Sequence, residues 1–266
     1  MHINKRFLRS TAVLAGALLL GACVVKPQPS PEELQARQAH LDKVQKAKAR
    51  FEELCKTAGI TVNRRVTGVK GIRLERVPAQ SNWKDWTDPM WPEAALSGGV
   101  GGGAFLERLI KRRSTDSKTG KLNGSVTNIQ VGSVPGYEYV DVKQVDGTWR
   151  RFHLVVDGGG RVVVVSKDVS ESELSPYAVS YEVPVDSKDR LHWVAGVTID
   201  VVDVRTGERL GDIRRYVWDR GMGDSAGGRS AWPIASGNDV CPSMSGYDTF
   251  GHFMVLINSI ITPGGE

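Results

Sequence analysis

The segment 191–204 alternates apolar and polar side chains over most of its length. A period of two over that distance predicts a β-strand with one buried face. Thr206 and Gly207 then provide a turn, and the segment 209–218 is expected to return antiparallel to the first strand. This hairpin of long strands is the clearest element in the chain.

Further short strands are predicted before it. The segments 137–145 and 148–156 flank Asp146 and Gly147, a strong signal for a β-hairpin. The segments 161–169 and 176–183 are two more candidates. Successive hairpins favour an antiparallel meander over a doubly wound parallel sheet.

Helical patterns occur at both ends of the folded part. Ser30, Pro31 and Glu33 form a capping sequence for a helix over 31–58 that Gly59 would end. Apolar residues at helical spacing predict a second helix within 247–261. The predicted fold is therefore α+β: an antiparallel sheet of about five to seven strands, with an N-terminal helix and a C-terminal helix packed on the sheet.

The chain begins with the features of an export signal. Lys5, Arg6 and Arg9 precede an apolar run over 11–20, which is too short to cross a bilayer. Leu20, Gly21, Ala22 and Cys23 follow, and this sequence resembles the signal of bacterial lipoproteins. The alternative is an ordinary secretory signal that happens to contain a cysteine.

The resemblance implies that Cys23 is acylated and becomes the first residue of the mature chain. Residues 1–22 would then be a signal peptide, 23–30 a lipidated tether, and 59–266 a single periplasmic α+β domain. In that family an aspartate directly after the cysteine favours the inner membrane. The residue here is Val24, so the expected location is the bacterial outer membrane, with the membrane contacted through the lipid.

The chain has three cysteines. If Cys23 carries lipid, Cys55 and Cys241 remain, and an oxidising periplasm favours a disulfide between them. Two buried free thiols are the alternative. The sequence contains no cofactor motif, and its scattered histidines and cysteines have no metal-ligand spacing, so neither a cofactor nor a metal is predicted.

The formal net charge is +5, and removal of Lys5, Arg6 and Arg9 with the leader lowers it to +2. This small excess argues against a dedicated nucleic-acid-binding protein. An envelope protein remains a possible partner, and the sequence leaves the oligomeric state open.

Three tryptophans, Trp83, Trp86 and Trp91, lie close together among aspartates and prolines. They could form a stacking platform for a ligand, or they could pack beneath the loop and hold it in place. The glycine-rich run over 97–103 lacks the Lys-Ser/Thr ending of a phosphate-binding loop, so a linker or hinge is predicted there.

The glycine- and serine-rich segment 219–245 is predicted to be a long loop over the sheet. Its residues 223–228 resemble the Gly-Asp-Ser-Gly-Gly segment around the nucleophile of chymotrypsin-like proteases. Ala226 stands where that family has a glycine, and no histidine lies in a matching context to act as the base.

The segments 51–59 and 218–230 resemble uncharacterised proteobacterial lipoproteins, a likeness that implies no activity. We expect a binding or assembly module more than an enzyme. Its candidate contact surface consists of Trp83, Trp86, Trp91, Ser225 and Arg229. The alternatives are an envelope serine hydrolase that uses Ser225, and a carrier of a glycan, peptide or lipid that uses the tryptophans.

Overall fold

The structure is a computed structural model that describes residues 28–96, 101–110, 112–115, 122–126, 136–156, 162–243 and 249–264. The predicted leader, the lipidation site Cys23 and residues 97–100 of the glycine-rich run lie outside these ranges. The chain divides into two compact units, Met1–Gln38 and Ala39–Glu266. In the first unit, Ser30 and Glu33 form the predicted capping box: each side chain accepts a hydrogen bond from the other's backbone N–H, at 3.1 and 2.6 Å.

Helices and strands alternate irregularly along the described chain. The α-helices are α1 (Pro31–Cys55), α2 (Trp83–Thr87), α3 (Gly102–Leu109), α4 (Ser187–Leu191), α5 (Ala231–Asn238) and α6 (Thr249–Asn258). The strands are β1 (Gly59–Val62), β2 (Val66–Val69), β3 (Gly71–Leu74), β4 (Arg112–Thr115), β5 (Leu122–Val126), β6 (Tyr139–Lys143), β7 (Trp149–Val156), β8 (Val162–Val169), β9 (Tyr177–Glu182), β10 (Val194–Asp203), β11 (Glu208–Trp218), β12 (Val240–Cys241) and β13 (Ile261–Pro263).

The main sheet has nine strands among the described residues, in the order β1-β11-β10-β9-β3-β6-β7-β8, with β12 also paired to β11. The combination of helices with one large sheet is confirmed. The predicted hairpins β6–β7 and β10–β11 are antiparallel. The prediction of a purely antiparallel sheet of five to seven strands is wrong, because the sheet is mixed and larger.

The short strand β3 makes the sheet mixed. It lies between β6 and β9 and runs parallel to both, pairing Ile72 with Val140 and Leu74 with Val179. It therefore joins two antiparallel meanders, β6–β7–β8 and β9–β10–β11. Gly71 at its start lies against the ring of Tyr139: a Cβ atom there would lie 2.2 Å from the ring, so any larger residue would force the ring to move. β3 has only four residues, and its apolar side chains are Ile72 and Leu74. An alternation this short does not predict which strands β3 pairs with.

The alternating segment 191–204 is only partly a strand. β10 begins at Val194, and its residues Val197, Ile199 and Val201 are buried on one face as the alternation predicts. Leu191 instead ends α4, where its side chain is 71 % exposed. Trp193 has a φ of 54°, and this left-handed bend separates the helix from the strand.

Several predicted boundaries differ as well. Helix α1 ends at Cys55 instead of residue 58, because the N–H groups of residues 56–58 bond to carbonyls three residues back and tighten the last turn. The segment 219–245 is not one long loop, since it contains α5 and β12. Strands β4 and β5 form a separate antiparallel pair, and residues 116–121 between them lie outside the described part.

The core lies between the sheet and the helical segments packed on it. Phe105 of α3, Trp232 of α5 and Ile257 of α6 join the sheet side chains in one buried cluster. The C-terminal half of α1 contributes to a second cluster, in which the Phe51 ring packs at a tilt of 34° against Trp218, with ring centroids 5.9 Å apart. A disulfide joins Cys55 at the end of α1 to Cys241 of β12, as predicted.

Candidate functional site

The three clustered tryptophans have different surroundings. Trp83 is the first residue of α2, and its side chain is 66 % exposed. Trp86, later in this short helix, is half-buried against the core, and its indole N–H donates to Ser81 Oγ at 3.0 Å. Trp91 is buried in the core at 8 % exposure. Of the predicted platform, Trp83 is therefore the aromatic side chain presented to solvent.

Helix α2 has a fixed starting point. The Asn82 side chain accepts a hydrogen bond from Lys84 N at 2.9 Å, and the Asp85 carboxylate accepts from Asn82 N at 2.8 Å. This capping box satisfies two backbone N–H groups that would otherwise lack partners. It fixes the position of the Trp83 backbone on a short helix.

Buried polar contacts hold the segment after α2 against α5 and α4. The Trp232 indole N–H donates to the carbonyl of Asp88 at 2.7 Å, directly after α2. Arg190, 1 % exposed, lies 5.3 Å from the Trp232 ring and donates to the carbonyls of Pro89 and Pro92 at 3.4 and 3.2 Å. Burial lowers the pKa of Arg190 to about 10, so the side chain stays a cation at neutral pH.

The loop between β11 and α5 is organised around one buried carboxylate. Asp219 is fully buried and accepts hydrogen bonds from the N–H groups of Gly223 at 2.8 Å and Gly221 at 3.3 Å. Arg229 pairs with it through both terminal nitrogens and also donates to the carbonyl of Asp224 at 2.9 Å. The hydrogen bond to Asp219 raises the pKa of Arg229. The loop is therefore closed on itself by a bidentate ion pair.

Gly223 has a special position in this loop, with a φ of 82° and the Trp193 indole where a Cβ atom would lie, 2.0 Å away. We expect Gly223→Ala to lower the free energy of unfolding by about 2–3 kcal/mol, from backbone strain and overpacking together. Urea denaturation of the purified protein measures the effect.

Gly227→Ala is the matched control. Gly227 also has a positive φ, of 67°, but no atom lies within 4 Å of the place that a Cβ atom would occupy. Gly227→Ala should lower the free energy of unfolding by about 1 kcal/mol, because only the positive φ opposes a side chain there. Equal losses for the two variants would show that the Trp193 contact is unimportant.

A cleft lies between α2 and this loop, with a volume of about 220 Å³. The described residues that line it are Trp83, Thr87, Ser225, Gly228, Arg229 and Ser230. The structure thus brings Trp83, Ser225 and Arg229 together, as the predicted contact surface requires. Trp86 and Trp91 are not among the lining residues.

A second cavity of about 450 Å³ has one lining residue, Arg229, in common with the cleft. Its other described lining residues are Arg220, Gly221, Ile234, Asn238 and Asp239. Sequence reasoning missed this half of the site. The signal was weak, because α5 was not recognised in a segment rich in glycine and serine.

Ser225 is exposed in the cleft, but the chemistry of a hydrolase needs more than an accessible hydroxyl. A serine nucleophile requires a base within hydrogen-bonding reach. The described lining residues of the cleft include neither a histidine nor a carboxylate. The arrangement is one of hydrogen-bonding groups beside an aromatic ring, which suits binding.

Comparison of the chain with protein-family models, curated proteins and solved structures finds no match. Within the described ranges, no three or more histidine, cysteine, aspartate or glutamate side chains are grouped so that they could hold a metal ion. Among the helices that the structure describes, none is long and apolar enough to span a membrane.

Proposed function

We propose that this chain is an outer-membrane lipoprotein whose folded domain is a binding module. The cleft carries the proposal: an exposed Trp83 faces a loop fixed by the Asp219–Arg229 pair. A large apolar ring kept in water on a rigid frame is typical of binding surfaces. The sequence around Cys23 supports an anchor, and the Cys55–Cys241 disulfide is compatible with an oxidising compartment.

The rigid frame matters for binding as much as the exposed ring does. Ordering a side chain or loop on binding costs free energy, and a preformed site avoids that cost. Trp83 lies on a capped helix, and the facing loop is closed by a buried ion pair. The backbone that carries Trp83 and the facing loop would therefore need little ordering when a partner or ligand binds.

Anchoring to lipid is tested by Cys23→Ser. The wild-type protein should incorporate labelled palmitate and sediment with outer-membrane fractions, whereas the variant should do neither, because its side chain cannot form the thioether. The double variant Cys55→Ser/Cys241→Ser is the control and should keep the label. Persistent labelling of Cys23→Ser would contradict the anchor.

The binding surface is tested separately by photocrosslinking in intact envelopes. The photoreactive residue p-benzoyl-phenylalanine is placed at position 83, and at position 191 as an exposed control that is not among the cleft-lining residues. We expect position 83 to give a discrete crosslinked product that position 191 does not give. Identical patterns at the two positions would count against the cleft as the contact surface.

A further inference from the structure

The cleft and the second cavity have Arg229 as a common lining residue, and the two together are hereafter called the Arg229 groove. Its two parts have volumes of about 220 and 450 Å³. Their combined volume falls within the range of small-molecule binding sites. An exposed apolar side chain lies in each part, Trp83 at 66 % and Ile234 at 39 % exposure. A ligand that contacts both Trp83 and Ile234 would pass Arg229, the lining residue common to the two parts.

The charges of the Arg229 groove are already paired. Arg229 is held by the fully buried Asp219, and Arg220 is paired with Asp239 through a hydrogen bond of 3.1 Å from its Nε and a second from a terminal nitrogen. An anionic ligand would compete with Asp219 for Arg229 and leave a buried carboxylate without its counter-charge, which is costly. The groove therefore favours a ligand without net charge.

The remaining polar groups are neutral and of mixed hydrogen-bonding character. The Thr87 hydroxyl donates to main-chain carbonyls of α2, which leaves its oxygen free to accept. Asn238 donates from its amide to the carbonyl of Ile234, so its side-chain oxygen can also accept. The hydroxyls of Ser225 and Ser230 can both donate and accept hydrogen bonds.

A sugar chain has the matching chemistry. A pyranose ring has an apolar C–H face that can lie on an indole, and its hydroxyl groups both donate and accept at the ring edge. We propose that the Arg229 groove binds a neutral glycan, with one sugar ring stacked on Trp83 and the following units running past Arg229 toward Ile234. This inference rests on the proposed binding function and names the class of ligand.

One neighbouring cation bears on this geometry. The Lys84 ammonium lies 5.8 Å from the centroid of the Trp83 ring, but Lys84 does not line the groove. The sugar is therefore expected on the indole face that is turned toward Ser225 and Arg229. Lys84→Ala should leave glycan binding within about twofold of the wild type.

The test is calorimetric titration of the full-length protein in micelles of a detergent that has no sugar headgroup. The probes are maltotriose, cellotriose and the trimer of N-acetylglucosamine, with tri-alanine and inorganic phosphate as non-sugar comparisons. We expect saturable binding of at least one trisaccharide, at least a tenfold loss of affinity in Trp83→Ala, and partial retention in Trp83→Phe.

Leu191→Ala is the matched control, since it removes an exposed apolar side chain that does not line the groove, and it should bind like the wild type. Absence of binding by all three glycans, equal weakening in Trp83→Ala and Leu191→Ala, or preference for tri-alanine or phosphate would overturn the glycan inference. A specific crosslink from position 83 combined with no glycan binding would overturn this inference alone and leave the binding function supported.

Discussion

Replacing Arg215 with methionine is expected to lower the free energy of unfolding by about 3–5 kcal/mol. Arg215 occupies an inward-facing position of β11 between Ile213 and Val217, and it is 1 % exposed. Its guanidinium donates to the carbonyls of Ala95, Leu96 and Ser236. Burial lowers its pKa to about 10, which still leaves a cation at neutral pH.

The expected loss of stability arises because methionine cannot donate hydrogen bonds to the carbonyls around Arg215. It fills a similar volume and removes a buried charge, which by itself would be neutral or favourable. The main-chain carbonyls that accept hydrogen bonds from Arg215 would remain buried, however. Each buried acceptor without a donor lowers the free energy of unfolding by about 1–3 kcal/mol. We expect this loss to exceed the gain from removing the charge.

Urea denaturation measures the difference, and Arg214→Met is the matched control. Arg214 is the preceding residue of the same strand, but its side chain is exposed, so its replacement should change the free energy of unfolding by no more than about 0.5 kcal/mol. If Arg215→Met were as stable as Arg214→Met, the carbonyls would not depend on the guanidinium.

Loss of the disulfide is the second change with a large expected effect. The double variant Cys55→Ala/Cys241→Ala should lower the free energy of unfolding by about 5 kcal/mol, because the bond closes a loop of 186 residues in the unfolded chain. The bond also ties the end of α1 to β12, and through β12 to β11. Without it, α1 depends on its packing against Trp218 and on the Arg50–Asp189 ion pair.

The reductant dependence of unfolding provides the control. A thiol reductant should destabilise the wild-type protein by a similar amount and leave the double variant unchanged. Mass spectrometry of the alkylated, unreduced protein should find neither Cys55 nor Cys241 modified. Alkylation of both residues would refute the bond.

Local patterns in the sequence predict the parts of this fold that depend on neighbours in the chain. The hairpin at Asp146 and Gly147 and the buried face of β10 both follow from turn residues and from a period of two. The capping box at Ser30 is equally local. These features need no knowledge of distant segments.

The errors concern pairings across long distances. β3 has four residues, and nothing in its sequence specifies that it joins β6 and β9 in parallel. The alternation over 191–204 extends through Trp193, where a positive φ turns the backbone although tryptophan rarely adopts that conformation. Tertiary contacts decide these points, so a single sequence does not reveal them.

The candidate site was likewise predicted only in part from the sequence. Sequence composition indicated Trp83, Ser225 and Arg229 as a contact surface, and the structure places all three along one cleft. It did not separate the exposed Trp83 from the buried Trp91, because both lie among similar prolines and aspartates. The Asp219–Arg229 pair was also missed, since a loop separates the two partners in the sequence.

The place of β3 between the two meanders has a consequence for the kinetics of folding. Each meander can assemble from neighbouring strands, but β3 must find Val140 on one side and Val179 on the other, far along the chain. Such a high contact order is typical of slow folding. Synthesis makes β3 early, yet its pairing with β9 can form only after residues 177–182 have been made, so an early strand has to wait for a late partner.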